Sequence, residues 1–281
     1  MKKQFNLIIS KNPYELDTMI SCTDSLAALT EKNSNFIEAV VRLDSNYRKE
    51  ASITEPESGF NPITMCNASK GKYHGSSPYW FSQMERANSD KDFKRAVLGA
   101  VIAIDTTNST HLLAAVGARK VMQERICKAC QCQINMLKEL LNKPFDPEDS
   151  EHLINQLLAP VPGVRKQKNG SVTFRYNISF ASKFCSYASS YFHTHFEYPK
   201  YDSVVSDWLG KYLLAYTGEK PKGSFKMPLG KRTKEKKEKI ESETYQRYWN
   251  AISQILNRVN GNKNLLTYER FDHIVWYANK G

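Results

Sequence analysis

The sequence has little that would place it in a membrane or outside the cell. No apolar run approaches the roughly 20 residues that a bilayer-spanning helix needs. The basic start, from Met1 to Asn6, is followed by no long apolar segment, so we expect no signal peptide. Six cysteines among 281 residues are too few to suggest a disulfide framework. These shortages predict a cytoplasmic protein, nucleoid-associated if it is bacterial, with no membrane partner and no obligate protein partner.

Acidic residues are also scarce relative to basic ones. The chain has 40 Lys and Arg against 29 Asp and Glu, which gives a formal net charge of +11. An excess of this size favours a polyanionic partner through counterion release and electrostatic steering. Fifteen Tyr, thirteen Phe and four Trp add aromatic faces that can stack on unpaired bases. Nucleic acid is therefore the expected partner, although many basic proteins bind no polyanion.

Strand signals are sparse, and helical spacing dominates the chain. Apolar residues recur three and four positions apart in the segments 14–30, 35–44, 91–105, 111–142, 149–158, 203–216, 234–259 and 264–278. Residues 163–176 differ, because apolar residues alternate after an Asn169-Gly170 turn, as in a hairpin. Residues 54–79 hold three prolines and three glycines, which predicts a long loop. We expect a mostly α fold with a small β-hairpin.

One lysine, Lys183, stands in the helical stretch that begins near residue 178, for which Ser179 is a candidate N-cap. Four aromatic residues share one face of this helix: Phe180, Phe184, Tyr187 and Tyr191. Lys183 lies beside that face among small neighbours, where it loses hydration, and such loss favours the neutral, nucleophilic amine. The alternative is a lysine whose stem packs at the edge of a core while its charge reaches solvent.

Nineteen residues after Lys183, Asp202 precedes a second apolar segment. Pro199 biases Tyr198 away from helix, and Asp202 stands directly before the helical segment 203–216, which predicts that it is the N-cap. A carboxylate at an N-cap accepts backbone N–H groups and interacts favourably with the helix dipole. Capping alone explains Asp202, and it would also hold a carboxylate in one orientation.

A helix, a hairpin-sized connection, a turn and an Asp-capped helix form a pattern that resembles the helix-hairpin-helix DNA glycosylases. The chain is most similar to the 8-oxoguanine DNA glycosylase branch, in which Lys and Asp are also nineteen residues apart and the Asp follows a short extended stretch with Pro. That stretch is residues 198–202 here, and the resemblance covers about residues 150–215. It implies that Lys183 attacks the sugar C1′ of a flipped nucleotide, that Asp202 assists, and that no cofactor is needed.

The hairpin departs from the family pattern. The family has a Gly-x-Gly turn just before the lysine, whose N–H groups hold a DNA phosphate, whereas residues 175–180 contain no glycine. The expected substitutes are Asn177, Ser179 or basic side chains, and the alternative is a hairpin of a different shape. The histidine that often follows the catalytic Asp by two positions is replaced by Val204. These departures leave the identity of the excised base open.

The resemblance also predicts how the rest of the chain contributes. Residues 1–148 would form an N-terminal helical region and residues 149–281 the catalytic region, packed as one glycosylase unit around a cleft. A basic insertion at 218–239 would contact the DNA backbone or serve as a solvated linker. Further DNA-binding candidates in this insertion are Lys220, Lys222, Lys226, Lys231 and Arg232. Tyr187, His273 and Trp276 are candidates for the base pocket.

A cysteine cluster, Cys127-x-x-Cys130-x-Cys132, raises the question of a metal site. In a helix the first and second of these residues share a face and the third does not. His111, sixteen residues away, is too distant in sequence to be an evident fourth ligand. We therefore expect no metal at this cluster.

The expected function is a DNA glycosylase and AP lyase that acts on double-stranded DNA. The substrate would be 8-oxoguanine or another modified base, such as a hypermodified phage pyrimidine, and the latter would suit an antiviral role. A different class of function is a non-catalytic DNA-binding protein on a glycosylase-like fold.

Overall fold

The computed structural model describes residues 16–21, 24–43, 55–67, 75–108, 110, 112–115, 117–166, 172–228, 234–261 and 265–279. Its helices in chain order are α1 (Glu31–Leu43), α2 (Pro62–Met65), α3 (Ser77–Glu85), α4 (Asp90–Thr107), α5 (Ala118–Ala129), α6 (Ile134–Leu141), α7 (Leu153–Leu158), α8 (Ile178–Phe192), α9 (Ser203–Thr217), α10 (Lys234–Asn260) and α11 (Tyr268–Asn279). The strands are β1 (Thr18–Ser21), β2 (Asp24–Ala27), β3 (Val161–Lys166) and β4 (Val172–Arg175). The predicted mostly α composition is confirmed.

The chain forms two compact units, each assembled from separate segments. The first unit comprises Met1–Lys49, Pro199–Lys226 and Arg247–Gly281, and the second comprises Glu50–Tyr198 and Met227–Gln246. Residues 149–281 thus contribute to both units, and the boundary expected after residue 148 stays a prediction. Among the described helices, none combines the length and the apolar character required to cross a bilayer.

A short hairpin opens the described part of the first unit. Strands β1 and β2 pair antiparallel, with Thr18 opposite Ala27, so the helix predicted over residues 14–30 is wrong. The buried side chain of Asn33 connects the hairpin to α1, because its Oδ1 accepts from the N–H of Asp17 (2.9 Å) while its Nδ2 donates to the carbonyls of Asp17 (2.9 Å) and Ala28 (2.8 Å). These tertiary hydrogen bonds outweigh the local helical spacing. Helix α11 packs against α1, β2 and α9 in the same unit.

Helix α4 lies at the centre of the second unit. Every residue from Ala96 to Asp105 is buried, and Ser89 caps the helix by accepting from the N–H of Asp92 (3.2 Å). Gly99 faces the indole of Trp80 on α3, where an added Cβ would lie 2.2 Å from a ring carbon. The close packing of α3 on α4 therefore requires glycine at this position. Helix α8, which carries Lys183, packs against α3, α4, α6 and α7.

The second unit also contains the predicted hairpin. Strand β3 pairs antiparallel with β4, with Val161 opposite Arg175, which confirms a small β element before α8. The Asn169-Gly170 turn lies outside the described residues. The helix predicted over residues 111–142 is interrupted, because Gln131 and Cys132 take left-handed conformations with φ of 50° and 57°. Helix α5 ends before this break and α6 begins after it.

Candidate active site

The N-terminus of α8 is held by a carboxylate from α10. The helix begins at Ile178 with Asn177 as its N-cap, so the prediction that Ser179 is the cap is wrong. Glu241, which is fully buried, accepts from the backbone N–H groups of Asn177 and Ile178 through its Oε1. The side chain of Asn177 donates to the carbonyl of Ala159 at 2.9 Å. The side-chain amide of Asn177 thus makes a hydrogen bond within the protein. The DNA contacts expected of Asn177 and Ser179 stay predictions.

Lys183 lies on the buried side of α8 and is only 8% exposed. Its Nζ donates to the backbone carbonyl of Asn108 at 3.2 Å. The hydroxyl of Tyr187, one turn further along α8, donates to the side-chain Oδ1 of the same asparagine at 2.7 Å. Asn108, the C-cap of α4, therefore brings together the predicted nucleophile and one residue of the predicted base pocket.

A buried ion pair supports the turn that carries Asn108. The carboxylate of Asp105 accepts from the Nε of Arg119 (2.8 Å), from the hydroxyl of Thr110 (2.6 Å) and from the N–H of Leu112 (2.9 Å). The side chains of Asp105 and Arg119 are 3% and 2% exposed. A buried carboxylate with three donors is well satisfied, and such a network holds one backbone conformation. This support was not predicted from the sequence, where the available signal was an aspartate at the end of the apolar run 96–104.

Asp202 is the N-cap of α9, as predicted. Its Oδ1 accepts from the N–H of Val204 at 2.8 Å. The turn before it is fixed by the hydroxyl of Tyr248, which donates to the carbonyl of Lys200 at 2.9 Å. Burial raises the pKa of Tyr248 well above its ordinary value, and the nearby carboxylates of Asp272 and Asp202 raise it further. Tyr248 therefore remains a hydrogen-bond donor beside Asp202.

The predicted catalytic pair is drawn from both units. Lys183 belongs to the second unit and Asp202 to the first. The same holds for the predicted base pocket, because Tyr187 belongs to the second unit, whereas His273 and Trp276 belong to the first. The joint roles of these residues stay predictions.

His273 and Trp276 lie one turn apart on α11. The Nδ1 of His273 is 2.7 Å from the Oε1 of Glu38 on α1. The indole of Trp276 packs edge-on against the ring of Tyr277, with centroids 4.6 Å apart. Both side chains are half-buried, so each is partly exposed to solvent.

The basic insertion is described only in part. Lys220, Lys222 and Lys226 are exposed after the end of α9, and the Nζ of Lys226 lies 2.7 Å from the Oδ1 of Asp207. Lys231 and Arg232 lie outside the described residues. On α9 itself, the ammonium of Lys211 lies 4.1 Å from the ring centroid of Trp208. Positive charge and an aromatic face therefore occur together near the described start of the insertion.

The cysteine cluster shows no metal-binding geometry in the part of the chain that the structure describes. No group of three or more His, Cys, Asp or Glu side chains there could hold an ion. His111 is outside that part. The three thiols are free, with Cys127 and Cys130 buried and Cys132 half-buried.

Comparison of the chain with protein-family models, with curated proteins and with solved structures finds no match. The likeness to the glycosylases therefore depends on the spacing of Lys183 and Asp202 and on the stretch 198–202. The activity that it implies is a proposal.

Proposed function

We propose that the protein is a DNA N-glycosylase with AP lyase activity on a helix-hairpin-helix glycosylase-like fold. One observation carries the proposal: Lys183 is buried on α8, and its amine donates to the Asn108 carbonyl. Lysine is rarely buried to this degree, and a desolvated amine that is held in place is a candidate nucleophile. The Asp202 carboxylate is oriented by the N-terminus of α9, nineteen residues further along the chain.

The chemistry follows from these two groups. A nucleotide is flipped out of the duplex at a cost of a few kcal/mol. The Asp202 carboxylate stabilises the positive charge that develops on the sugar as the glycosidic C–N bond breaks. Neutral Lys183 forms a bond to C1′, and the base leaves with the electron pair of the broken C–N bond. The lysine nitrogen gives one proton to the leaving base and another to the ring oxygen O4′ as the C1′–O4′ bond opens. The resulting imine allows β-elimination of the 3′ phosphate. The excised base is 8-oxoguanine or another modified base, including hypermodified phage pyrimidines.

Within the proposal, DNA is held differently from the family pattern because of Glu241. Two N–H groups at the start of α8 are bonded to this carboxylate, at the position where the resembled family holds a phosphate. Within the proposal, the exposed lysines after α9 take over contact with the DNA backbone.

The test is a borohydride trap on duplexes that carry oxidised, alkylated or phage-type modified bases. Borohydride reduces the imine, so a covalent protein–DNA adduct is expected with the native chain and is absent with Lys183→Gln. A matched control is Lys138→Gln, because Lys138 is a half-exposed lysine of the same unit, paired with Glu85. Asp202→Asn is expected to slow base release by about 100-fold or more, since it removes the stabilising charge.

Two results would count against this function. The absence of both adduct and released base from every class of modified DNA contradicts a glycosylase. If the protein nevertheless binds these duplexes, it is the non-catalytic DNA-binding protein considered from the sequence. An adduct that persists in Lys183→Gln contradicts the assignment of the nucleophile.

A further inference from the structure

The end of α5 brings two cysteine side chains together. Cys127 is in the last turn of the helix, Cys130 is its C-cap, and Cys132 is the second residue beyond the cap. The N–H of Cys132 donates to the carbonyl of Cys127 at 3.1 Å, which is the 6→1 hydrogen bond of a Schellman motif. Side chains at these two positions of the motif typically contact each other. Here both side chains are thiols, and they are close enough for Cys132 to raise the pKa of Cys127.

The backbone at this cap is unusual. The residue after the cap in such motifs is commonly glycine, because it takes a left-handed conformation. Here it is Gln131 with φ of 50°, and Cys132 follows with φ of 57°. Two successive non-glycine residues in this region cost conformational energy. The backbone that holds Cys132 beside Cys127 is therefore strained, and glycine at position 131 would relieve part of that strain.

Small molecules can reach the pair from solvent. Cys127 and Cys132 both line a cavity of about 490 Å³, together with Lys94, Gln123 and Lys128. Cys132 is half-buried and Cys127 is 6% exposed. Cys185 is fully buried and is not among the residues that line this cavity. Cys132 is thus the thiol of the pair that a reagent meets first.

Burial changes the acidity of Cys127 and Cys130. Burial raises the pKa of Cys127, and the neighbouring Cys132 and Cys130 raise it further, while Lys94 opposes the effect. Burial likewise raises the pKa of Cys130 to about 11. Cys132 is the more exposed thiol of the pair, so reaction with a reagent begins there, and Cys127 beside it is placed to act as the resolving thiol.

We propose that Cys127 and Cys132 form a reversible disulfide when a hydroperoxide enters this cavity. The sulfur of Cys132 attacks the peroxide, the O–O bond breaks, and the products are a Cys132 sulfenic acid and one molecule of water or alcohol. The sulfur of Cys127 then displaces the hydroxyl group, which leaves as water with the thiol proton of Cys127. Two thiols are oxidised by two electrons and the hydroperoxide is reduced by two. A small dithiol reverses the change by exchange.

Trypsin offers a direct test, because Lys128 lies between the two cysteines. Cleavage after Arg125, Lys128 and Lys138 places Cys127 in peptide 126–128, and both Cys130 and Cys132 in peptide 129–138. The folded protein is treated with hydrogen peroxide, its remaining thiols are alkylated, and the digest is analysed without reduction. We expect the two peptides to be joined, the loss of two alkylatable cysteines, and the recovery of both after dithiothreitol.

Variants identify the partners. Cys127→Ser and Cys132→Ser are each expected to abolish the joined peptides. Cys130→Ser should retain them, and so should the matched control Cys185→Ser. A disulfide confined to peptide 129–138, irreversible oxidation of Cys132, or unchanged alkylation of both thiols would each overturn the proposal. If a variant does not fold, fragmentation of the joined peptides from the native digest shows which cysteine of peptide 129–138 carries the alkyl group. An alkyl group on Cys130 supports the Cys127–Cys132 disulfide, and an alkyl group on Cys132 overturns it.

Discussion

The carboxylate of Glu241 offers the sharpest test of how α8 is held. It is fully buried and accepts two backbone N–H groups at the start of the helix that carries Lys183. A net hydrogen bond to a charged group contributes about 1.5–3 kcal/mol to stability. Because the two N–H groups share one oxygen, their contributions are not independent. We expect Glu241→Ala to lower the free energy of unfolding by about 3 kcal/mol, since it leaves two buried donors without an acceptor.

Glu241→Gln is the finer perturbation, because it keeps an acceptor oxygen of similar shape and removes the charge. Hydrogen bonds assisted by charge are roughly twice as strong as neutral ones, so about 1.5 kcal/mol should be lost. The control is Glu243→Gln, two residues along the same helix, where the carboxylate is 45% exposed and lies 3.8 Å from Lys239. Exposed pairs of this kind contribute at most about 1 kcal/mol.

Urea denaturation measures the total loss in the free energy of unfolding, and amide hydrogen exchange of residues 177–181 shows whether the start of α8 is the part that is destabilised. Faster exchange in the first turn of α8 is expected for Glu241→Gln and not for Glu243→Gln. Equal stabilities of the two Gln variants, together with unchanged exchange at the start of α8, would refute the reasoning. The capping role of Glu241 would then have no energetic consequence.

Two further predictions concern charge. Replacing Lys220, Lys222 and Lys226 together by Gln should weaken DNA binding to all sequences. Each phosphate contact that is lost should reduce the slope of log K against log salt concentration by about 0.9. A slope equal to that of Lys138→Gln contradicts a DNA-binding insertion. Burial lowers the pKa of His152 below 6.5, and its Nδ1 caps α7 by accepting from the N–H of Ile154 at 3.3 Å. The folded state thus favours the neutral ring of His152. The contribution of this ring to the free energy of unfolding is present above pH 6.5 and is lost as the pH falls toward the lowered pKa of the folded state. Urea titrations against pH should show a smaller acid loss for His152→Asn, which caps without titrating, and a parallel pH dependence would contradict this role.

Short-range features of the fold were predictable from the chain alone. Ser89 and Asp202 are side chains that accept N–H groups two or three residues further on, so their roles depend only on the adjacent sequence. The hairpin before α8 follows from strand alternation and a turn in one short segment. The mostly α composition follows in the same way, because helical spacing repeats along each segment.

Long-range features were decided by tertiary structure. The strands at residues 18–27 replace a predicted helix because Asn33 bonds to both ends of the hairpin. Lys183 meets the carbonyl of Asn108, 75 residues away, and Glu241 reaches the start of α8 from 63 residues further along the chain. No local pattern announces such partners, since a buried polar group selects whichever donor or acceptor the packed helices bring within reach. The sequence therefore determined where helices start and which residues carry reactive groups, and the packing of distant segments determined what surrounds those groups.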